Sequence, residues 1–280
     1  MHALIAISTM HLRRLAPSYK PDTLPETYHW QRTVDLFQKE IDEPIGLHNM
    51  DAVLSTSMLL AVLAFTYDDH SVAGSWIFSP TQSSANWLYV QGGLLGILIQ
   101  CAAHLDQSIW IPVLNDADDY KGTFSNEDPG PEGLPAAFVD LCEIDASSSG
   151  KNNPYHLPLR TLAPLLDIQP SAANYCKLVT FVGRISGQYR DLVQQKDPRA
   201  LLILSYWFGL MCGVDLWWVR TRVRTECVAI CMFLEHHHDP RIVKLLEFPA
   251  HACGYCLKPP PVPDGYLVEL DVDSADFGLE

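Results

Sequence analysis

The sequence predicts a single all-α domain, and three observations lead to this prediction. Apolar side chains recur at the three- and four-residue spacing of amphipathic helices along most of the chain. The alternation of apolar and polar residues that is typical of strands does not appear. With 48% hydrophobic and 19% charged residues among 280, the chain has enough apolar material for a large core and too little charge for a disordered protein. We therefore expect about 8 to 10 helices around an apolar internal pocket.

The first half of the domain begins with two short helices. Apolar spacing predicts them over 4–15 and 28–41, and a proline follows each one closely. Asn49 then precedes a segment at 52–65, as a helix N-cap does. Because this segment is apolar around most of its circumference, we expect it to form a central helix, with a helix at 87–105 as its neighbour.

Four further helices are predicted in the second half of the domain. Helical spacing covers 157–166, 172–196, 198–212 and 216–235. The third of these begins with an Asp-Pro pair, in which Asp197 is suited to the cap and the proline to the first helical position.

Two acidic segments complete the organisation. The stretch 112–133 is rich in Asp, Gly and Pro and predicts an exposed acidic loop. The stretch 259–280 has six acidic residues and no basic residue after Pro261, and predicts a surface tail with one short extended piece at 266–270. We therefore expect one helical domain over 1–258, followed by this tail.

Charge and cysteine usage limit the classes of function. The chain has 19 Lys plus Arg against 33 Asp plus Glu, a formal charge of −14. Such a surface repels phosphates, so we expect this chain not to bind nucleic acid directly. Its eight cysteines mostly occur singly in apolar segments, which favours free thiols in a reducing compartment. The N-terminus is apolar first and basic afterwards, unlike a secretory signal, so we expect a nuclear or cytoplasmic protein.

One segment is long enough to test as a membrane span. Residues 87–105 are uncharged, and Gly92 and Gly96 have the Gly-x-x-x-Gly spacing of packed membrane helices. However, polar side chains interrupt the segment and no basic residues flank it. We therefore predict a buried helix and no membrane span.

Six segments together carry a family resemblance. They are MHALIAISTMHL at 1–12, YHWQRTVDLF at 28–37, NMDAVLSTSMLL at 49–60, WLYVQGGL at 87–94, DPRALLILSYWF at 197–208 and WWVR at 217–220. In this order and spacing they resemble the regulatory domain of fungal zinc-cluster (Zn2Cys6) transcription factors, above all its sterol-uptake-control branch. The resemblance extends to about residue 249.

The resemblance implies an all-helical, often dimeric, ligand-sensing domain whose hydrophobic pocket receives ergosterol. In the family, a six-cysteine zinc cluster and a coiled-coil linker precede this domain and bind DNA. No Cys-x2-Cys-x6-Cys pattern occurs in the 280 residues, so we expect the chain to lack the zinc-cluster part.

Large apolar and aromatic residues on several of the predicted helices are the candidate ligand site. They could wall a mostly apolar pocket for a flat lipophilic molecule, but helical aromatic residues also fill ordinary cores, and both interpretations stay open. The candidates are Met58, Leu59, Leu63, Phe65, Trp87, Tyr206, Trp207, Phe208, Met211, Trp217 and Trp218.

A metal site is a weaker hypothesis. Cys253, Cys256 and His251 have metal-compatible spacing, and a run of three histidines precedes them at 236–238. However, the Cys-x2-Cys pair occurs once, whereas zinc ribbons contain two such pairs. We therefore expect no cofactor and no metal.

An enzyme is the alternative function. The run Asp-x-Asp-Asp at 116–119 matches the pattern with which class II terpene cyclases protonate an alkene, so the same apolar pocket could serve a cyclase or isomerase acting on a terpenoid or polyketide. No nucleophile elbow, phosphate-binding loop or His-Glu-x-x-His motif is present. The candidate acids are Asp68, Asp69 and Asp118, and the candidate bases are His29 and His104.

The preferred interpretation is a ligand-binding regulatory domain. It binds a sterol or a similar hydrophobic molecule and changes its association with a protein partner or with a second copy of itself, which requires the ligand to distinguish two conformations. Arg220, Arg222 and Arg224 are expected on the surface, where they contribute to solubility or contact an acidic partner or the acidic tail.

Overall fold

The fold is α-helical throughout the part of the chain that the structure describes. The computed structural model describes residues 1–16, 24–66, 71–79, 86–118, 128–185 and 187–259, and these contain no β-strand. The all-α prediction is therefore confirmed. The predicted extended piece at 266–270, and the predicted tail from residue 260 onward, lie outside the described residues.

The first four helices are α1 (His2–Leu15), α2 (Leu24–Ile41), α3 (Met50–Phe65) and α4 (Asn86–Cys101). α2 begins four residues before the predicted start, because a proline at its second position and an acidic residue in its first turn suit a helix N-terminus. α3 packs against α4, as expected. Within the described residues, no helix combines the length and apolar character that crossing a membrane requires.

α3 bridges three apolar clusters, which explains why it is apolar around most of its circumference. Its first turns pack with Ile97 and Cys101 of α4, Leu60 and Leu63 pack with Ala6 and Met10 of α1, and its last residue, Phe65, enters the main core.

A short helix occupies the start of the segment predicted as an acidic loop. α5 spans Ile111–Asp118. The next α-helix in the described part of the chain is α6 (Ala136–Leu141). The expectation of a loop from residue 112 is therefore wrong for 112–118, because α5 contacts the helix Tyr175–Leu178, where Lys177 pairs with Asp116 at 3.5 Å. Residues 119–127 of the predicted loop lie outside the described residues.

The middle of the chain forms four short helices. The predicted segment 172–196 divides into three of them, because β-branched residues and glycines at 179–187 interrupt the regular spacing. They are α7 (His156–Leu162), continued by a 3-10 turn, α8 (Tyr175–Leu178), α9 (Thr180–Gly183) and α10 (Gly187–Gln194).

The last four helices build the centre of the molecule: α11 (Pro198–Cys212), α12 (Trp217–Leu234), α13 (Pro240–Leu245) and α14 (Glu247–Cys253). Asp197 caps α11 as predicted, because its carboxylate accepts a hydrogen bond from the Ala200 N–H at 2.9 Å. α11 is buried along almost its whole length and packs against α12 and α14. The most central helix is therefore α11, whereas the sequence predicted a central position for α3.

Candidate functional site

Four of the predicted ligand residues meet in one layer of aromatic rings, which we call the aromatic layer: Phe65, Trp87, Trp207 and Phe208. Trp87 of α4 stacks on Trp207 of α11, with ring centroids 6.5 Å apart and planes inclined by 11°. Phe65 meets Trp87 edge-on at 5.3 Å, and Phe208 lies 5.8 Å from Trp87. All four side chains are buried. Because the rings contact one another directly, this part of the core is filled by its own side chains.

A buried ion pair lies beside the aromatic layer. Arg222 and Glu226 are four residues apart on α12 and therefore share one face, with Nη1 of the arginine 3.6 Å from Oε1 of the glutamate. The guanidinium lies 5.7 Å from the centre of the Phe65 ring and 5.5 Å from that of Trp87. These distances allow cation–π attraction between Arg222 and both rings.

Arg222 also binds the C-terminus of α3. Its Nε donates to the Phe65 carbonyl at 2.7 Å and its Nη2 to the Ala64 carbonyl at 3.4 Å. Carbonyls in the last turn of a helix lack intrahelical partners and attract positive charge. The expectation of a surface position is therefore wrong for Arg222, which is 6% exposed, whereas Arg220 and Arg224 are exposed.

Glu226 is held by the segment that follows α3. The Ser75 hydroxyl donates to Oε2 of Glu226, and the Trp76 backbone N–H also bonds to this carboxylate. Burial nevertheless raises the pKa of Glu226 to about 7, because the hydrogen bond from Ser75 and the charge of Arg222 offset the loss of hydration only in part. The side chain therefore exchanges its proton near neutral pH.

Two buried indole N–H groups have no acceptor among the described residues. They are Nε1 of Trp87, in the aromatic layer, and Nε1 of Trp76, next to Ser75 in the chain. Other tryptophans are paired: Trp207 donates to the Leu178 carbonyl at 2.8 Å, and Trp110 donates to the Ser55 hydroxyl at 2.9 Å. A buried donor without an acceptor costs about 1–3 kcal/mol. An oxygen atom brought to either indole would recover part of that cost.

The aromatic layer, the ion pair, Ser75 and Trp76 together form the candidate site. Sequence reasoning missed four of its residues, namely Ser75, Trp76, Arg222 and Glu226. The i,i+4 pair of opposite charges among the apolar residues of α12 was the signal that could have identified two of them. No sequence pattern indicated that Ser75 and Trp76 belong to the site, because their position depends on tertiary packing.

The remaining predicted ligand residues on α11 and α12 face other neighbours. Tyr206 packs against Phe138 and Phe248, with centroids 4.8 and 4.9 Å away. Met211 is buried in the main core. Trp217 packs on His11 and Trp218 on Tyr175, with centroids 4.7 and 6.0 Å away.

The predicted ligand residues on α3 divide in the same way. Leu63 belongs to the cluster shared with α1, whereas Met58 and Leu59 are half-buried. Since a helix presents different faces to different neighbours, residues that are close in sequence do not line one surface here. Of the α3 candidates, Phe65 alone lies in the aromatic layer.

The candidate acids and bases of the enzyme hypothesis are not joined by any contact in the described part of the chain. His29 lies on α2, with its Nδ1 2.7 Å from Nδ1 of His2, and His104 follows α4. Asp68 and Asp69 lie outside the described residues, as does the side chain of Asp118.

The three residues of the weaker metal-site hypothesis differ in their surroundings. Cys253 is buried, whereas Cys256 and His251 are exposed. Cys253 instead faces Cys227 and Cys231 of α12. All eight cysteines of the chain are described, and none forms a disulfide. The Cys-x3-Cys spacing on α12 was the available signal for this grouping, because it places both sulphur atoms on one helix face.

Comparison with known proteins finds a distant relative. The chain is 22% identical over 244 residues to a protein of Gibberella zeae described as a Zn(2)-C6 fungal-type transcription factor. The match covers 83% of this chain and 49% of the relative, so the chain spans about half the length of the curated relative it matches. No family model matches the chain. No solved structure matches it. The similarity supports a relationship to fungal transcription factors.

Proposed function

We propose that this chain is the ligand-sensing part of a fungal transcription regulator, which binds a sterol or another hydrophobic small molecule at the aromatic layer. The distant similarity to a fungal transcription factor supports the regulatory role and a nuclear location. Regulation then proceeds through a protein partner or a second copy of the chain, since a net charge of −14 opposes direct binding to nucleic acid.

The observation that carries the proposal is the unpaired Nε1 of Trp87 in a stack of aromatic rings. A sterol combines a flat apolar body with one hydroxyl group. Its body suits contact with stacked rings, and its hydroxyl oxygen can accept a hydrogen bond from the indole. Because the rings fill the layer, the ligand must enter a second conformation in which they have separated.

Arg222 links such a change to the rest of the molecule. It binds the two carbonyls at the end of α3 while contacting the rings of Phe65 and Trp87. Separation of the rings would therefore move the end of α3 relative to α12. A change of this kind alters the surface that a partner or second copy contacts.

The proposal is tested by ligand capture and titration. The full chain is purified, and molecules that co-purify are extracted and identified by mass spectrometry; ergosterol is then titrated while tryptophan fluorescence is recorded. The Trp87→Phe variant keeps an aromatic ring but loses the donor. It is expected to bind ergosterol about five- to tenfold more weakly, as the loss of one hydrogen bond of about 1 kcal/mol predicts.

The matched control is Trp110→Phe, which removes an indole N–H that is paired with Ser55 away from the aromatic layer. Its affinity for ergosterol should equal that of the natural chain. Absence of sterol binding, or equal affinity in the Trp87→Phe variant, would contradict the proposal. If a molecule that was incubated with the chain is recovered in a chemically altered form, the cyclase or isomerase function is favoured instead.

A further inference from the structure

Three cysteines converge in the core and are not among the residues of the candidate site. Cys227 and Cys231 lie one turn apart on α12, and Cys253 is the last residue of α14. Their three sulphur atoms all lie within 4.8 Å of one another, and all three side chains are buried. We call this group the sulphur triad. The packing of α14 against α12 creates it, since no single segment of the sequence contains all three residues.

The spacing of the triad suits one small ion bound by three sulphurs. A metal–sulphur bond of about 2.3 Å with trigonal geometry separates the sulphur atoms by about 4 Å, which requires small side-chain adjustments within the observed limit of 4.8 Å. Thiolate ligands in a dry apolar site select soft metal ions such as Cu(I). We propose that the sulphur triad binds one Cu(I) ion in a three-coordinate site.

The number of sulphurs in the triad favours copper over zinc. The Cys212 sulphur does not belong to the set that lies within 4.8 Å of one another. Protein-bound Zn²⁺ almost always has four ligands in tetrahedral geometry. Three sulphurs in a buried position without a fourth ligand in the set therefore fit Cu(I) better than Zn²⁺.

Metal binding requires the thiols of the triad to lose their protons. In the structure the Cys227 thiol donates to the Pro249 carbonyl and the Cys253 thiol to the Ala250 carbonyl, each with an S···O distance of 3.5 Å. A thiolate is the form of cysteine that binds metal. In the binding step each sulphur that forms a Cu–S bond gives up its S–H proton, if it carries one, to solvent. Copper enters and remains as Cu(I), so no electron is transferred.

The test uses the reduced full chain under anaerobic conditions. Cu(I) is supplied in competition with bathocuproine disulphonate, and stoichiometry and affinity are measured from the absorbance of the chelator. The natural chain should bind one Cu(I), X-ray absorption should show three sulphurs around it, and Cu(I) should raise the thermal midpoint of unfolding. Cys231→Ser should weaken binding by about 100-fold or more, because loss of outer-shell partners alone costs 10–100-fold.

Two serine variants serve as matched controls. Cys256→Ser changes an exposed cysteine three residues after Cys253, and Cys142→Ser changes a buried cysteine outside the triad. Both should bind Cu(I) like the natural chain. If Cys231→Ser fails to fold, the stoichiometry and sulphur count of the natural chain still decide. No Cu(I) binding, equal affinity in a folded Cys231→Ser, or preferential Zn²⁺ binding by four sulphurs would each overturn the proposal.

Discussion

At the scale of single residues, Glu226 couples the stability of the core to pH. Its pKa rises from an ordinary 4.5 to about 7 on folding, because the carboxyl group is buried. Between these values the folded chain holds a proton that the unfolded chain has lost. The contribution of Glu226 to the free energy of unfolding is therefore largest below pH 4.5 and falls as pH rises to 7, by about 3 kcal/mol in total.

The Glu226→Gln variant removes this titration and keeps the size of the side chain. Urea unfolding of both chains between pH 5 and 8 should show the stability of the variant rising relative to that of the natural chain by up to about 3 kcal/mol. Glu43→Gln, at an exposed position, should give a profile parallel to that of the natural chain. A parallel profile for Glu226→Gln as well would show that Glu226 keeps an ordinary pKa.

At the scale of elements, the turn after α11 depends on the close approach of the Pro170 ring to Gly213. A Cβ added at Gly213 would lie 2.7 Å from Cβ of Pro170, and a proline ring cannot rotate away. Gly213→Ala should therefore destabilise the protein by about 1–3 kcal/mol, as other overpacked substitutions do.

Thermal or urea unfolding measures this effect. The control is Gly183→Ala in α9, where an added Cβ meets nothing within 4 Å and should change stability little. Equal stabilities for Gly213→Ala and Gly183→Ala would mean that the loop carrying Pro170 can shift without lowering the free energy of unfolding.

At the scale of the whole molecule, stability is distributed unevenly. Eleven residues of α11 are buried, whereas Thr33 is the single buried residue in the described side chains of α2. Helices with few buried apolar contacts open locally at a lower free energy than the centre of a domain. Native-state hydrogen exchange followed by mass spectrometry should therefore show exchange of the α2 amides well before those of α11. Similar protection of α2 and α11 would instead indicate that the molecule unfolds as one unit.

Several features of the fold and site were predictable from the sequence. Apolar spacing identified the helical class, and Asp197 with Pro198 marked the start of α11, because capping and helical spacing depend on neighbouring residues. The choice of large aromatic residues was also partly informative, since Phe65, Trp87, Trp207 and Phe208 do meet. Short-range patterns therefore determined the type of structure and a set of buried candidates.

Tertiary structure alone decided which buried residues share a site. Spacing shows that a helix face is buried, but it does not show which element covers that face. The sequence therefore predicted a surface position for Arg222, whereas in the structure Arg222 binds the end of α3. The sequence likewise paired Cys253 with Cys256, whereas in the structure Cys253 lies beside Cys227 and Cys231. The aromatic layer and the sulphur triad exist because distant segments meet, and their contacts involve no regular spacing along the chain.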